Sequence, residues 1–282
     1  MNKNISTFIA CDANYDESSV VIFGAPFDGT TSNRPGTRFG PNAARLESDG
    51  LETYSPYFDM DLEDYKTFDA GDLEFCFGNK VRVLAEIKKM TSKIISDNKK
   101  PFMIGGEHLV TLGSVEALVE TNPDLHIIHL DAHTDLREEY MGESLSHATV
   151  LKRCYDLVGD NKIFQFGIRS GMKSEFKFAK TTGFLERELT KLHEVVCQLK
   201  DKPVYITIDL DVLDPSIFAG TGTPEPGGIT FKELLDCISE FTNLNNIVGC
   251  DVVELAPQYD VSGVSNAVCA KVVREMTLLL HK

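Results

Sequence analysis

Six short apolar runs recur along the chain, and each ends in a polar cluster. They are residues 19–28 (SVVIFGAPFD), 99–108 (KKPFMIGGEH), 125–135 (LHIIHLDAHTD), 162–170 (KIFQFGIRS), 202–215 (KPVYITIDLDVLDP) and 247–257 (IVGCDVVELAP). Their apolar residues are successive rather than alternate, as in a strand buried on both faces. The stretches between them carry helical spacing. In 80–96, Val83, Leu84, Ile87, Met90, Ile94 and Ile95 repeat along one helical face, and 110–120, 147–158, 185–199, 231–242 and 264–281 are similar. Strands alternating with helices predict a three-layer α/β/α fold around a mostly parallel sheet. No repeat, low-complexity tract or linker interrupts the pattern, so residues 1–282 are expected to form a single domain.

In open parallel α/β sheets, ligands bind beyond the carboxyl ends of the strands, where the polar clusters lie. Asp131, His133 and Asp135 occupy alternate positions of HLDAHTD, and Asp209 and Asp211 do so in IDLDV. Side chains two apart in extended chain point the same way. His108 closes a third run. If these strands are neighbours, four carboxylates and at least two imidazoles converge. Two like charges 4 Å apart repel by about 4 kcal/mol at an effective dielectric near 20. No Lys or Arg occurs within 129–135 or 204–215 to offset this. Metal ions are the simpler compensation, and six ligands suit two ions that share carboxylates. A carboxylate-rich set with some imidazole and no thiolate favours Mn²⁺, with Zn²⁺, Co²⁺ and Fe²⁺ still compatible.

Other polar residues read more plainly. Asp214, before Pro215, is expected to form a turn. His126 and His129 lie inside an apolar run and read as hydrogen-bonded core residues, and His193 as a helix-surface residue. GTGTPEPGG (220–228) lacks the Lys and Ser/Thr of a phosphate loop and reads as a stiff loop at the rim of the site.

The formal net charge of −15 argues against nucleic-acid or anionic-membrane partners. The seven cysteines contain no C-x-x-C pair, residues 1–19 lack an apolar leader core, and no run reaches membrane-spanning length. Together these predict a reducing, cytoplasmic setting.

Jointly, Gly105–His108, Asp131–Asp135, Asp209–Pro215, Gly220–Pro224 and Val253–Pro257 resemble the motifs of the ureohydrolases, the family of arginase, agmatinase and relatives. The resemblance runs from about residue 20 to the C-terminus. Within the family, residues 24–45 and the loop 220–228 are similar to the agmatinase versions. Glu107 departs from the family's usual Asp in the first motif. The resemblance implies two Mn²⁺ ions, one held by His108, Asp131, Asp135 and Asp209, the other by Asp131, His133, Asp209 and Asp211. It implies hydrolysis of a small cationic guanidino substrate, agmatine first, to urea and a diamine. Asp135 would carry the proton to the leaving amine and His147 would shuttle it to solvent. Glu254 would pair with the guanidinium, and Thr223 would contact the reacting centre. The acidic segment 136–146 is expected at the rim, facing a second positive charge on the substrate. Arg137 and Arg169 leave room for a carboxylate-bearing substrate of a sister enzyme, namely arginase, guanidinobutyrase or formimidoylglutamase. A metal-binding scaffold without turnover is a rival from another class. The family also implies a homo-oligomer, a trimer or hexamer.

Overall fold

The computed structural model describes residue 1 and residues 6–282; residues 2–5, part of the N-terminal stretch read above as lacking a leader, lie outside the described residues. An eight-stranded, wholly parallel sheet forms the centre. Its strands are β1 (Val20–Ala25), β4 (Thr67–Asp72), β5 (Lys100–Gly105), β6 (His126–Leu130), β7 (Ile163–Phe166), β8 (Phe184–Leu185), β9 (Val204–Asp209) and β10 (Ile247–Val253). A separate small hairpin pairs β2 (Tyr54–Ser55) with β3 (Met60–Asp61). In the large sheet the order is β4-β1-β5-β10-β9-β6-β7-β8, so the last strand enters the middle.

Helices cover both faces, and the pleat decides which residue meets which layer. Val20 and Ile22 of β1, Ile128 and Leu130 of β6, and Ile206 and Ile208 of β9 pack with Ala44, Val196, Leu234 and Met276. Those four belong to α1 (Gly40–Ser48), α6 (Leu192–Gln198), α7 (Phe231–Glu240) and α8 (Val264–His281). The alternate residues Ile127, Ile163 and Tyr205 meet the opposite layer through Leu84, Leu112 and Leu151. These come from α2 (Lys80–Ser96), α3 (Thr111–Thr121) and α4 (Val150–Val158).

The six runs all enter this sheet. Two strands escaped the pattern: β4 is a Gly- and Asp-containing edge strand, and β8 is two residues long. Helix α1 follows a Gly- and Pro-rich stretch, and α5 (Lys173–Thr182) is largely polar. The helix expected over 185–199 is confined to α6. Glu186 instead donates its N–H to Gln165 O of β7 at 2.9 Å, and its carboxylate accepts from Lys191 N at 3.1 Å. These local bonds replace the helical ones. Among the described residues, no helix is long and apolar enough to cross a membrane.

Gly106, just past β5, fixes how closely the 24–31 segment approaches. A Cβ there would overlap the carbonyl oxygen of Phe27, which accepts the Glu107 N–H at 2.7 Å. The obstruction is backbone, so it cannot rotate away. Gly106→Ala is expected to lower unfolding free energy in urea by about 1–3 kcal/mol; an unchanged midpoint would mean that the 24–31 segment yields freely.

Candidate metal centre

The strands that carry the motifs, β5, β10, β9 and β6, are consecutive neighbours. The chain leaves the sheet just beyond each of them. His108 and Asp211 lie in short 3-10 turns, Asp131 directly follows β6, and Asp209 ends β9. Residues 131–135 are not the extended chain expected from their alternation. The strand stops at Leu130, and Asp135 takes a left-handed φ of 51°. Its carbonyl accepts from Leu151 N and Lys152 N at 3.0 and 3.1 Å, serving the first turn of α4. Glu254 also has a left-handed φ, 68°, and is tied by its N–H to Gly106 O at 2.9 Å. Non-glycine residues rarely adopt this conformation unless their surroundings enforce it.

The side chains form two adjoining groups. His108 Nδ1 lies 3.1 Å from Asp131 Oδ2, 3.2 Å from Asp209 Oδ2 and 3.4 Å from Asp135 Oδ2. His133 Nδ1 lies 3.0 Å from Asp211 Oδ2 and 3.5 Å from Asp131 Oδ1. Asp131 thus divides its two oxygens between the groups. His108 Nδ1 and Asp211 Oδ2 are buried and are aligned for a hydrogen bond with none of these neighbours. That combination suits an ion between them: ligand atoms about 2.1 Å from a shared ion stand about 3.0 Å apart at right angles and about 3.4 Å apart in a tetrahedron. The donor set, carboxylates with imidazole, matches a hard or borderline divalent ion.

Protonation tells the same story. Burial presses the His108 imidazole down, but Asp131, Asp135 and Asp209 outweigh it and hold it well above its ordinary range. His133 is raised likewise, against its burial, chiefly by Asp211. Burial and then Asp131 push Asp135 up to about 7. Burial, Asp211 and Asp131 raise Asp209 well above the carboxylate range. Asp131 is held low, against its burial, by His129, His108 and His133. Without cations the cluster keeps protons to limit its own repulsion.

His129 reaches the same carboxylate from behind. Its Nε2 lies 2.7 Å from Asp131 Oδ2, and its Nδ1 accepts from Gln165 Nε2 at 3.0 Å. The Gln165 bond leaves the ring proton on Nε2, so His129 donates to Asp131 and has no lone pair for an ion. It could be grouped with His108 and Asp131 as a possible ligand, but this tautomer argues against it. His126 is the core residue expected, buried and stacked on Phe164, although its Nδ1 has no hydrogen-bond partner among the described residues.

Above the cluster opens a cavity of about 270 Å³, lined by His133, Asp135, Asp209, Glu254, His147 and Thr223 among others. Glu254 Oε1 accepts the His108 N–H at 2.8 Å. Burial, then Glu107, raises Glu254 well above the carboxylate range. A carboxylate that favours a proton this strongly will also favour a cation. His147 opens a 3-10 turn, with Nε2 3.2 Å from Ser32 Oγ and Nδ1 buried without a hydrogen-bond partner among the described residues. Burial lowers it to about 4. Glu107 is wholly buried, and accepts from Thr30 N at 2.8 Å, Thr30 Oγ1 at 2.5 Å and Thr31 Oγ1 at 3.1 Å. Thr30 Oγ1 in turn accepts the His147 N–H at 3.1 Å. Asp214 is a turn residue, accepting from Ser216, Gly227 and Gly228 and so closing the 220–228 loop.

The rim differs from the acidic one expected. Glu138 pairs with Lys152 and Arg153, and Glu143 with Lys80. The segment 136–146 presents Arg137 and Tyr140 to the cavity instead. Arg137 lies over the Tyr140 ring at 4.3 Å. Arg169 is turned away, its guanidinium donating to backbone carbonyls of Gly167, Asp211, Val212, Leu213 and Glu225.

Residues 18–279 match the sequence profile of the arginase family. The chain belongs to the arginase family. It is 51% identical over 275 residues to the agmatinase of Bacillus anthracis, covering 96% of this chain and 95% of that one. A solved Clostridium difficile structure superposes with a TM-score of 0.93 at 55% identity, covering 95% of this chain and 98% of that one. The agmatine ureohydrolase of Thermoplasma volcanium does so with a TM-score of 0.90 at 32% identity, covering 99% and 95%. Like its relatives, this arginase-family chain is a ureohydrolase enzyme.

The raised groups set a pH dependence for the metal-free protein. As pH climbs above 6.5 the imidazoles with lowered values, such as His147, become neutral in the unfolded chain as they already are in the folded one. His108, His133, Asp135 and Asp209 hold protons in the folded state that the unfolded chain has released. Stability gained from those protons is lost as pH rises. The melting temperature of chelator-treated protein should fall from pH 6.5 to 8, and Mn²⁺ should flatten that slope; a metal-free value that climbs over this range would contradict the cluster's protonation.

Proposed function

We propose that this chain is a dinuclear-metal ureohydrolase that cleaves agmatine to putrescine and urea, folded as a single unit over residues 1–282. The observation that carries the reading is the split of Asp131 between two imidazole–carboxylate groups at the floor of a cavity that also holds Glu254. His108, Asp131, Asp135 and Asp209 would hold one ion, and Asp131, His133, Asp209 and Asp211 the other. Similarity to agmatinases across almost the whole chain supports the choice of substrate. Mn²⁺ is the metal this ligand set favours. The reading includes a cytoplasmic homo-oligomer, trimer or hexamer, in a route of polyamine synthesis. Light scattering that returned a 31.3 kDa species would reject the oligomer.

Two divalent ions, when bound, make a water molecule acidic enough to supply hydroxide near neutral pH. The chain's residues do the rest. Glu254 keeps Oε1 on the His108 amide and offers Oε2 to the guanidinium, which fixes the carbon over the cluster. Thr223 borders the same space. The amine must be protonated to leave. Asp135 lines the cavity at the edge of the cluster and is placed to hold that proton and release it. His147, neutral at pH 7 and beside Ser32 at the mouth, is suited to pass a proton to solvent.

Arg137 at the mouth favours a second reading, a guanidino acid whose carboxylate meets that guanidinium. Urea release from agmatine, 4-guanidinobutyrate and arginine separates the readings. Agmatine should have the highest kcat/KM; a preference for either acid would replace it as the substrate. Glu254→Gln preserves the acceptor for the His108 amide and removes the charge. It should cost about 10²–10³-fold in kcat/KM with Mn²⁺ content unchanged. His133→Ala should abolish activity while the circular dichroism spectrum persists, and surviving activity would defeat the two-ion scheme.

A further inference from the structure

One layer below the metal centre, four adjacent strands place polar residues in direct register. Asp251 of β10 is paired with Thr207 of β9, Thr207 with His129 of β6, and His129 with Gln165 of β7. All four are 0–2% exposed. They sit in otherwise apolar strands, where an unpartnered polar group costs about 1–3 kcal/mol. The row sits two residues before Asp209 and Asp131, on the same face of the sheet.

The hydrogen positions along the Asp251 end follow from the partners. The Asp251 carboxylate faces three hydroxyls: Thr207 Oγ1 at 2.6 Å from Oδ1, and Thr111 Oγ1 and Tyr205 OH at 2.8 and 2.7 Å from Oδ2. An ionised carboxylate accepts only, so each hydroxyl donates to it. Thr207 has then spent its single hydrogen. Its oxygen, 3.0 Å from His108 Nε2, can only accept from that nitrogen. The proton of a neutral His108 is therefore fixed on Nε2, and the lone pair of Nδ1 faces Asp131, Asp135 and Asp209. This is the orientation in which Nδ1 can bind an ion.

We propose that Asp251, acting through Thr207, is a positioning residue of the metal centre: it dictates the His108 tautomer and so the affinity of the site that His108 serves. Asp251 touches neither substrate nor ion. The inference rests on the two-ion reading and adds to it a determinant outside the ligand set. Reversing the row at its source reverses the tautomer. In Asp251→Asn the amide can donate to Thr207, whose hydroxyl then turns toward His108 Nε2 and drives the ring proton onto Nδ1.

The test is calorimetric titration of Mn²⁺ into metal-stripped protein, with urea unfolding of the same metal-free samples. Thr207→Val is nearly isosteric, leaves Asp251 two of its donors and removes the acceptor for His108. It should weaken one Mn²⁺ site by about 10–100-fold. Thr207→Ser, which keeps the hydroxyl, should stay within a few-fold of the wild type. Asp251→Asn, where it folds, should match Thr207→Val. Equal affinity in Thr207→Val and wild type, or a Thr207→Ser variant as weak as Thr207→Val, overturns the inference alone. A wild-type protein that takes up no divalent ion overturns the two-ion reading and this inference with it.

Discussion

The structure depends on holding four carboxylates together in a space from which water is nearly excluded. Asp131, Asp209 and Asp211 are at most 3% exposed and Asp135 is 8% exposed. Left ionised and uncompensated, they would repel by several kcal/mol per pair. Among the described residues no lysine or arginine pairs with any of them; imidazoles do. An imidazole can compensate in two ways: it can accept a proton and become a counter-ion, or it can stay neutral and bind a cation with the carboxylates. The first is the metal-free balance, and the second is what a metalloenzyme needs. A fixed ammonium or guanidinium would have satisfied the carboxylates permanently and closed the site to metals.

Topology makes this concentration possible. A parallel sheet points all its strand ends the same way, and the insertion of β10 between β5 and β9 places Glu254 beside His108 and within reach of the Asp209 strand end. The burden then falls on the residues just past the sheet. Asp135 and Glu254 both take left-handed φ values, and each is held there by backbone hydrogen bonds to another element. The strain is local, while the anchors belong to α4 and to the turn after β5. Geometry at the centre is therefore only as firm as those two attachments.

The sheet core and its motif clusters were legible in the sequence because buried parallel strands are apolar on both faces and their exits are not. Edge elements were not legible. β4 carries few apolar residues, since an edge strand has less to bury, β8 is only two residues long, and the segment 186–191 follows local side-chain bonds rather than its helical spacing. The alternation of Asp131, His133 and Asp135 pointed to side chains that do gather, but for an incomplete reason, because they converge through a loop with a left-handed residue and not along a strand. The rim was misjudged because charge counted along 136–146 does not say which way each side chain points. Glu138 and Glu143 turn to lysines and an arginine on neighbouring elements. His129 looked like a core residue, and it is one; what the sequence did not reveal is that its partner is Asp131. A usable signal was present: a polar residue two positions before a candidate ligand, inside an apolar run.

That signal has a general physical basis. Ligand side chains at a strand end need their orientation fixed from the layer beneath, and in a parallel sheet that layer consists of residues two positions earlier on the same face. Apolar residues there would hold the ligands by packing alone and leave each ring free to choose its tautomer. Hydroxyls, an amide and a carboxylate in register impose a direction on every proton. Gln165 does this for His129, and Thr207 does it for His108. The cost is a buried carboxylate, Asp251, whose three hydroxyl partners offset its desolvation only in part, so that burial still raises its affinity for a proton. Such an expense in the middle of an apolar sheet makes physical sense when the row fixes something above it, and directly above it lies the metal centre.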